Sequence, residues 1–364
     1  MGKWVVANPP PDLATPYLAV DLDVLENNVR TMAETAREKG ISLRPHVKTH
    51  KCPEIASRQL AAGAIGVTVA TISEAEVFVA AGCRDVFIAY PLWIDRARGA
   101  RLSSLAERCS LLIGLDSAKG AEALAHNTKP NAGFGVLVEI DSGHHRTGVA
   151  PHAAGELAVA ATGSGLSVRG VFTFPGHSYE PGHAAAAAME EGRALADAAA
   201  SLRSRGVEPY IVSGGSTPTA ALTDTGAATE MRPGVYVFND AQQLELGSCA
   251  RGDIALSAAS TVVSRAPGRM VLDAGSKVLG AERPAWATGY GRLADYPAAH
   301  LIALSEHHAT VEWPETSPPP ELGAVLRVVP NHVCSAVNLA DDLVIVTGGV
   351  IIDRWRVAAR GANS

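Results

Sequence analysis

The segment Arg44-Pro45-His46-Val47-Lys48-Thr49-His50-Lys51 closes a short β-type run that begins at Ile41. Side chains alternate along an extended chain, so Arg44, His46 and Lys48 are expected to point to one side of it. Three cation-type side chains turned inward are costly to bury without partners. A barrel of parallel strands offers a resolution, because its interior is apolar while its catalytic groups sit at the C-terminal strand ends. A bound anionic cofactor would pair the cations there. A lysine held beside other cations, or partly desolvated, is also suited to forming a Schiff base. A solvated basic loop after a short strand is the competing reading from composition alone.

Outward from this segment, β-rich runs alternate with Ala-rich helical stretches from Thr15 to about Asp240. The runs include PYLAVD from Pro16, AIGVTVAT from Ala64, DVFIAY from Asp85, LLIGLDS from Leu111, GVLVEID from Gly135, VRGVFTF from Val168, PYIVSGG from Pro209 and GVYVF from Gly234. Many are nearly continuous apolar runs, as strands buried on both faces are. Eight or nine such units with short links predict an α/β fold built on a (β/α)8 TIM-type barrel, with an open doubly wound sheet as the alternative. After Asp253 the pattern becomes strands separated by Gly, Pro and Asp turns, which predicts an antiparallel β domain. The expected division is a barrel over residues 15–245 and a C-terminal β domain over residues 250–360, the latter with residues 1–14 added to it. The closing Gly361-Ala362-Asn363-Ser364 reads as a frayed tail.

The chain has 364 residues, 47% apolar and 19% charged, which fits a compact globular protein larger than one typical domain. A formal charge of -6 gives no basic footprint and argues against nucleic acid as a partner. Five scattered cysteines with no Cys-x-x-Cys pair fit a reducing cytoplasm better than a disulfide framework. The start MGKWVVANPP lacks the apolar core of a secretory signal. The Ala-rich tract 184–200 is interrupted by Glu190, Glu191, Arg193 and Asp197, so it reads as a surface helix and no membrane partner is expected.

Taken together, T-P-Y-L-x-x-D-L-D from Thr15, R-P-H-V-K-T-H-K from Arg44 and V-A-T-I-S-E-A-E from Val69 resemble the D-serine dehydratase and D-threonine aldolase group. These are pyridoxal phosphate (PLP) enzymes of the alanine racemase fold type. The resemblance covers most of the chain and lies nearest the metal-dependent D-serine dehydratases. It implies a homodimer of barrel-plus-β-domain subunits, with the Schiff-base lysine at Lys48 and His50 and Lys51 as flanking residues.

Three other strand ends carry candidate residues. Ser213-Gly214-Gly215-Ser216-Thr217-Pro218-Thr219 offers glycine amides and hydroxyls of the kind that cradle phosphate, although a plain turn is the commoner use of such a sequence. Late strand–helix loops are also where barrel phosphate sites lie, and the resemblance assigns Gly214, Gly215, Ser216 and Thr217 to the cofactor. Asp141-Ser142-Gly143-His144-His145-Arg146-Thr147-Gly148 is similar to the family's D-x-G-x-x-R-x-G, which places Arg146 near the cofactor. From the residues alone, Arg146 could equally pair with Asp141. Gly176-His177-Ser178-Tyr179 resembles the family's G-H-x-Y, which implies His177 beside substrate or ring and Tyr179 beside the cofactor. The family's tyrosine seven residues before the latter is Phe172 here.

Pro330-Asn331-His332-Val333-Cys334 supplies an imidazole and a thiol two positions apart, which on an extended chain would face one ion. Alone, a buried structural cysteine is the better reading. The resemblance assigns His332 and Cys334 as metal ligands, with zinc favoured by the thiolate and Mn²⁺ or another divalent ion as alternatives. It also implies PLP- and metal-dependent β-elimination from a D-3-hydroxy amino acid such as D-serine or D-threonine, with Lys48 and His177 catalytic. Retro-aldol cleavage to glycine and an aldehyde is the runner-up. A racemase is less favoured, because V-K-T-H-K replaces the racemase lysine motif. A non-catalytic PLP-binding protein is less favoured because its small relatives lack the β domain.

Overall fold

The computed structural model describes residues 13–129 and 133–364. Its contacts divide the chain into two compact units: the chain up to Arg30 with Thr49–Glu54 and Val235–Arg360, and Thr31–Lys48 with Ile55–Gly234 and Gly361–Ser364.

The first strand, β1 (Tyr17–Asp21), is followed by helix α1 (Leu22–Glu38). The second unit is built on strands β2 (Ser42–Leu43), β3 (Val67–Val69), β4 (Asp85–Ile88), β5 (Ser110–Leu115), β6 (Gly135–Glu139), β7 (Ser167–Phe172), β8 (Ile211–Gly214) and β9 (Glu230–Met231). They pair in parallel in the order β2-β9-β8-β7-β6-β5-β4-β3. The ring is closed by a parallel bridge between His46 and Thr68 and by hydrogen bonds Ile65 N→Leu43 O and Thr68 N→Pro45 O. The predicted barrel is therefore present. Helices α2 (Pro53–Ala61), α3 (Ile72–Ala80), α4 (Arg96–Ala106), α5 (Ala118–Asn127), α6 (Ala154–Gly163) and α7 (Ala184–Ser204) fall between the strands.

Local sequence sets these boundaries. Thr71 caps α3 by accepting the Glu74 amide, and Glu74 Oε2 accepts the Ala70 amide, so the T-I-S-E stretch is a helix start. Asp95 and Ser117 cap α4 and α5 in the same way. The barrel interior holds Phe87, Leu112, Leu137 and Phe172, with the two phenylalanine rings edge to face at 5.0 Å. Each such side chain stabilises the fold by about 1.5–3 kcal/mol on full burial. Tract 184–200 lies in α7, whose small residues such as Ala187, Ala194 and Ala198 are buried. No helix among the described residues is long and apolar enough to cross a membrane.

The first unit carries β10 (Leu256–Ala266), β11 (Arg269–Leu272), β12 (Gly291–Leu293), β13 (His300–Leu304), β14 (Ala309–Glu312), β15 (Val325–Pro330), β16 (Asp342–Thr347) and β17 (Val350–Arg356). With β1 they form one sheet in the order β11-β14-β13-β12-β15-β10-β1-β16-β17. All its pairings are antiparallel except β1 with β16.

Four expectations are corrected. PYLAVD, read as a barrel strand, lies in the nine-stranded sheet, where its buried Leu18, Ala19 and Val20 pair with both β10 and β16. GVYVF is not a strand but contains a 3-10 turn, Val235–Val237. The last residues are not frayed: the Ser73 amide donates to Ser364 O at 2.9 Å and Thr71 Oγ1 to Ala362 O at 2.7 Å. Finally, the extended run after Ile41 ends at Leu43, and Lys48 lies in a 3-10 turn, Val47–Thr49, so alternation does not govern Arg44, His46 and Lys48 together. Of the segment 1–14 expected to join the β domain, residues 1–12 lie outside the described residues, while Leu13 packs against Ala19, Val344 and Val346.

Candidate active site

Arg44 shows how the barrel handles its buried cations. Its Nε lies 2.8 Å from Glu230 and its Nη1 2.5 Å from Asp85, the residue that opens β4. Burial lowers the affinity of its guanidinium for a proton, but the two carboxylates outweigh it and hold the pKa above its ordinary value. Protein carboxylates, not a cofactor, therefore neutralise Arg44. The anion-pairing argument narrows to Lys48.

Lys48 is half-buried just beyond β2, and its Nζ stands 5.7 Å from the centre of the Phe174 ring. The Arg146 guanidinium lies 5.3 Å from the same ring, with His144 edge-on at 5.8 Å and Tyr179 tilted at 6.1 Å. Phe174 thus gathers Lys48, Arg146 and Tyr179 from the ends of three strands, through cation–π and ring contacts. Asp141 is not the partner of Arg146. Its Oδ1 accepts the Gly143 and His145 amides, and its Oδ2 lies 2.6 Å from His145 Nδ1.

His177 sits in the 3-10 turn Gly176–Ser178 after β7, with Nε2 3.0 Å from Glu190 Oε2 on α7. Gly143 (φ +119°) borders this pair: a Cβ there would lie 3.2 Å from Glu190 Oε2 and from His177 Cε1. Both His177 nitrogens are buried, and neither meets hydrogen-bond geometry with another described residue, although Nε2 lies close to Glu190. Hydroxyl bonds tie neighbouring loops together, Ser142 to Thr173 at 2.9 Å and Ser178 to Ser216 at 2.9 Å.

The turn after β8 differs from a simple amide cradle. The Gly215 amide donates to Glu191 Oε1 at 2.6 Å, and the Ser216 amide to Thr219 Oγ1 at 2.9 Å. These two amides are engaged within the protein, so neither is left to point at a phosphate. Below the mouth, Arg232 donates to Ser213 Oγ at 3.0 Å and to Thr173 O at 2.5 Å. Its guanidinium stacks over Phe172 and Phe87 at 5.3 and 5.5 Å. This explains the phenylalanine at position 172, which belongs to the core and presents its ring face to a cation.

Glu191 is fully buried, and desolvation pushes its carboxyl from 4.5 up to about 7, against the pull of the Gly215 amide and Arg232. An acid held above its unfolded pKa favours the fold when protonated. Stability is therefore full below about pH 4.5, declines as pH rises toward about 7, and stays lower beyond it. The shift corresponds to roughly 3 kcal/mol. Glu191→Gln should remove this component, so denaturant unfolding between about pH 5 and pH 8 should show a fall in the wild type that the variant lacks. Identical slopes for the two proteins would exclude it.

In the first unit, His332 is the N-cap of a short helix, Val333–Val337, that follows β15. His332 and Cys334 face each other across a helix start, not along an extended chain as the spacing had implied. His332 Nδ1 lies 3.4 Å from Asp240 Oδ2, long for a hydrogen bond. Asp240 is fully buried and also accepts the Val333 and Gln243 amides at 3.0 and 2.8 Å. Cys334 Sγ is 3.4 Å from Thr49 Oγ1, and Thr49 follows Lys48 in the chain. Burial lowers the His332 pKa, but Cys334 and then Asp240 raise it well above its ordinary value. Asn331 anchors the turn by donating to Gly289 O at 3.0 Å. Asp240 stands on the Nδ1 side of the ring, which would leave Nε2 for an ion beside the thiol, the usual arrangement of a metal-binding histidine with a carboxylate behind it. No group of three or more His, Cys, Asp or Glu side chains among the described residues could hold a metal by itself. An imidazole and a thiol suit a borderline-soft ion such as zinc, and two protein donors would leave positions for water or substrate.

Phe174, Glu190, Glu191, Arg232 and Asp240 were not among the candidate residues. Arg232 stands two residues before the GVYVF run that was read as a strand. The others carry no motif, because their roles arise from helix and loop contacts distant in sequence.

Comparison with known proteins agrees with this architecture. The alanine racemase N-terminal domain pattern matches residues 20–242, and a serine dehydratase domain pattern matches residues 255–346. D-threonine aldolase of an Arthrobacter species is 35% identical over 358 residues, covering 95% of this chain and 93% of its own. D-threo-3-hydroxyaspartate dehydratase of a Delftia species is 36% identical over 348 residues, covering 89% and 91%. The solved structure of the latter superposes with a TM-score of 0.86 at 31% identity, covering 95% of this chain and 97% of that one. That enzyme has also been solved with histidine-to-alanine and cysteine-to-alanine changes two positions apart, the cysteine variant in a metal-free form. The D-threonine aldolase structure from Filomicrobium marinum superposes with a TM-score of 0.85 at 34% identity, covering 96% and 97%. The chain belongs to the alanine racemase N-terminal domain family and carries a serine dehydratase domain match over residues 255–346.

Proposed function

We propose that this protein is a PLP- and metal-dependent lyase that removes water from a D-3-hydroxy amino acid and yields a 2-keto acid and ammonia. The observation that carries the reading is Lys48, set with Arg146 and Tyr179 around Phe174 at the C-terminal strand ends of a family barrel. PLP held on Lys48 would supply the electron sink at Cα, and an ion on His332 and Cys334 would supply Lewis acidity for the β-hydroxyl.

The remaining chemistry belongs to the chain. The Lys48 amine, once released, takes the α-proton, fixing the reacting face of the substrate. Arg146 and Tyr179, both in contact with Phe174, would hold the ring of the cofactor. Ser216 and Thr217, with Gly214 and Gly215 shaping their turn, hold the phosphate end. His177, braced by Glu190, holds or moves the proton of the hydroxyl.

The cysteine at the second ligand position favours elimination, and a thiolate–imidazole pair favours zinc. The Delftia dehydratase, solved metal-free with a cysteine removed, supports a metal in the same role. Five free cysteines support a cytoplasmic location, and a homodimer completes the reading. Retro-aldol cleavage remains the second reading. It is favoured by a buried, unpartnered His177 Nδ1 that could take the hydroxyl proton, and by two aldolase relatives.

A panel of D-serine, D-threonine and D-threo-3-hydroxyaspartate separates them. Keto acid and ammonia in equal amounts are expected. Glycine with an aldehyde, and no keto acid, would replace dehydration by cleavage.

A further inference from the structure

Helix α7 carries two adjacent carboxylates in unlike surroundings. Glu190 is half exposed and faces His177, whereas Glu191 is 2% exposed and lies under the turn that follows β8. Gly214, the last residue of β8, and Gly215 after it each meet Glu191 in a different way, one by its missing Cβ and the other by its amide. A Cβ at Gly214 would lie 2.4 Å from Glu191 Oε1 and 3.1 Å from Leu195 Cδ1. Gly215 adopts φ +82°, a conformation costly for other residues that turns the chain directly after its N–H, and that N–H donates to the same oxygen, 2.6 Å away. One glycine leaves room for the carboxyl and the other bends the chain onto it.

A carboxyl at this depth opposes folding as it ionises near neutrality, and Arg232 is the cation that offsets it. No helix cap or strand pairing requires an acid at this position. What it does is fix the path of the backbone entering Ser216, whose hydroxyl is already tied to Ser178 at 2.9 Å and Thr219 at 3.0 Å.

We propose that Glu191 is the positioning residue of the Gly214–Gly215 turn and, through that turn, of the phosphate end of the cofactor. The proposal rests on the assignment of PLP to Lys48. Glu191 acts on the turn and touches no reacting atom. Its removal leaves the Gly215 amide without its acceptor and lets the Ser216 hydroxyl drift, while the lysine and the ring contacts at Phe174 are left in place. The loss should therefore be confined to ligands that carry the phosphate.

The test titrates apoprotein with PLP and, separately, with pyridoxal, which lacks the phosphate, and reads the absorbance of the lysine-bound aldehyde. Glu191→Ala is expected to weaken PLP at least about ten-fold, the scale of one orphaned buried hydrogen-bonding group, and pyridoxal less than about two-fold. Glu191→Gln keeps an oxygen acceptor and should bind PLP within about three-fold of the wild type. Equal weakening of both aldehydes, as a merely structural role would give, overturns the proposal. So does PLP binding unchanged in Glu191→Ala. If that variant does not fold, Gly214→Ala forces the turn off the carboxyl and must show the same phosphate-dependent loss, or the proposal fails. A wild-type apoprotein that binds neither aldehyde removes the Lys48 assignment itself. A wild type that binds both, with the PLP preference intact in the variants, removes only the role of Glu191.

Discussion

Lys48→Ala is expected to abolish the near-visible absorbance of bound cofactor and to lower turnover by about 10⁴-fold, because one side chain is proposed both to hold the cofactor and to accept the α-proton. The fold should survive. Lys48 is half-buried, and its contact with the Phe174 ring contributes about 0.5–2 kcal/mol at such a site. Far-UV circular dichroism and the thermal midpoint should stay close to the wild type while the absorbance band vanishes. Lys51 cannot substitute readily, because its amine donates to Asn338 at 2.7 Å and its backbone sits at φ +50°. Persistence of the band in Lys48→Ala would remove the cofactor from this position and with it the proposed chemistry.

Metal removal should have the next largest effect. Chelation of purified protein is expected to reduce turnover by about 10²–10³-fold, the several kcal/mol that Lewis-acid stabilisation of a leaving hydroxide supplies. Zinc should restore it. Cys334→Ala should show a comparable loss that zinc does not repair, with the cofactor absorbance retained. Asp240→Asn tests the support behind the ligand. It should weaken metal affinity by about 10–100-fold, since Asp240 orients His332 and also accepts the Val333 and Gln243 amides. Activity indifferent to chelator would leave His332 and Cys334 as structural residues.

The parts of the fold that were legible in the sequence are those written in contiguous residues. The apolar runs of β4, β5 and β6 and the turn-separated strands after Asp253 each declare their own structure. What was not legible depends on partners far away. Whether PYLAVD joins the barrel or the other sheet is decided by β10 and β16, not by its own six residues. Arg44 was read as seeking an external anion because Glu230, 186 positions later, cannot be seen from its neighbourhood. The candidate residues Lys48, Arg146 and Tyr179 were found through motifs, but the aromatic ring that collects them, Phe174, sits in no motif. His177 and the glycine turn were likewise visible, while Glu190 and Glu191 beneath them were concealed in an Ala-rich helix.

The position of β1 bears on biosynthesis. Ala19 registers with Ser257 on one side and Val344 on the other, so its sheet lacks a central neighbour until nearly the whole chain has been translated. The eight parallel strands, by contrast, have all been made once Met231 has left the ribosome. A nascent polypeptide can assemble the barrel early while Leu18, Ala19 and Val20 wait with their edges unmatched. Chains stalled before about residue 340 would present that edge to chaperones or to one another, making late translational arrest the stage most prone to aggregation.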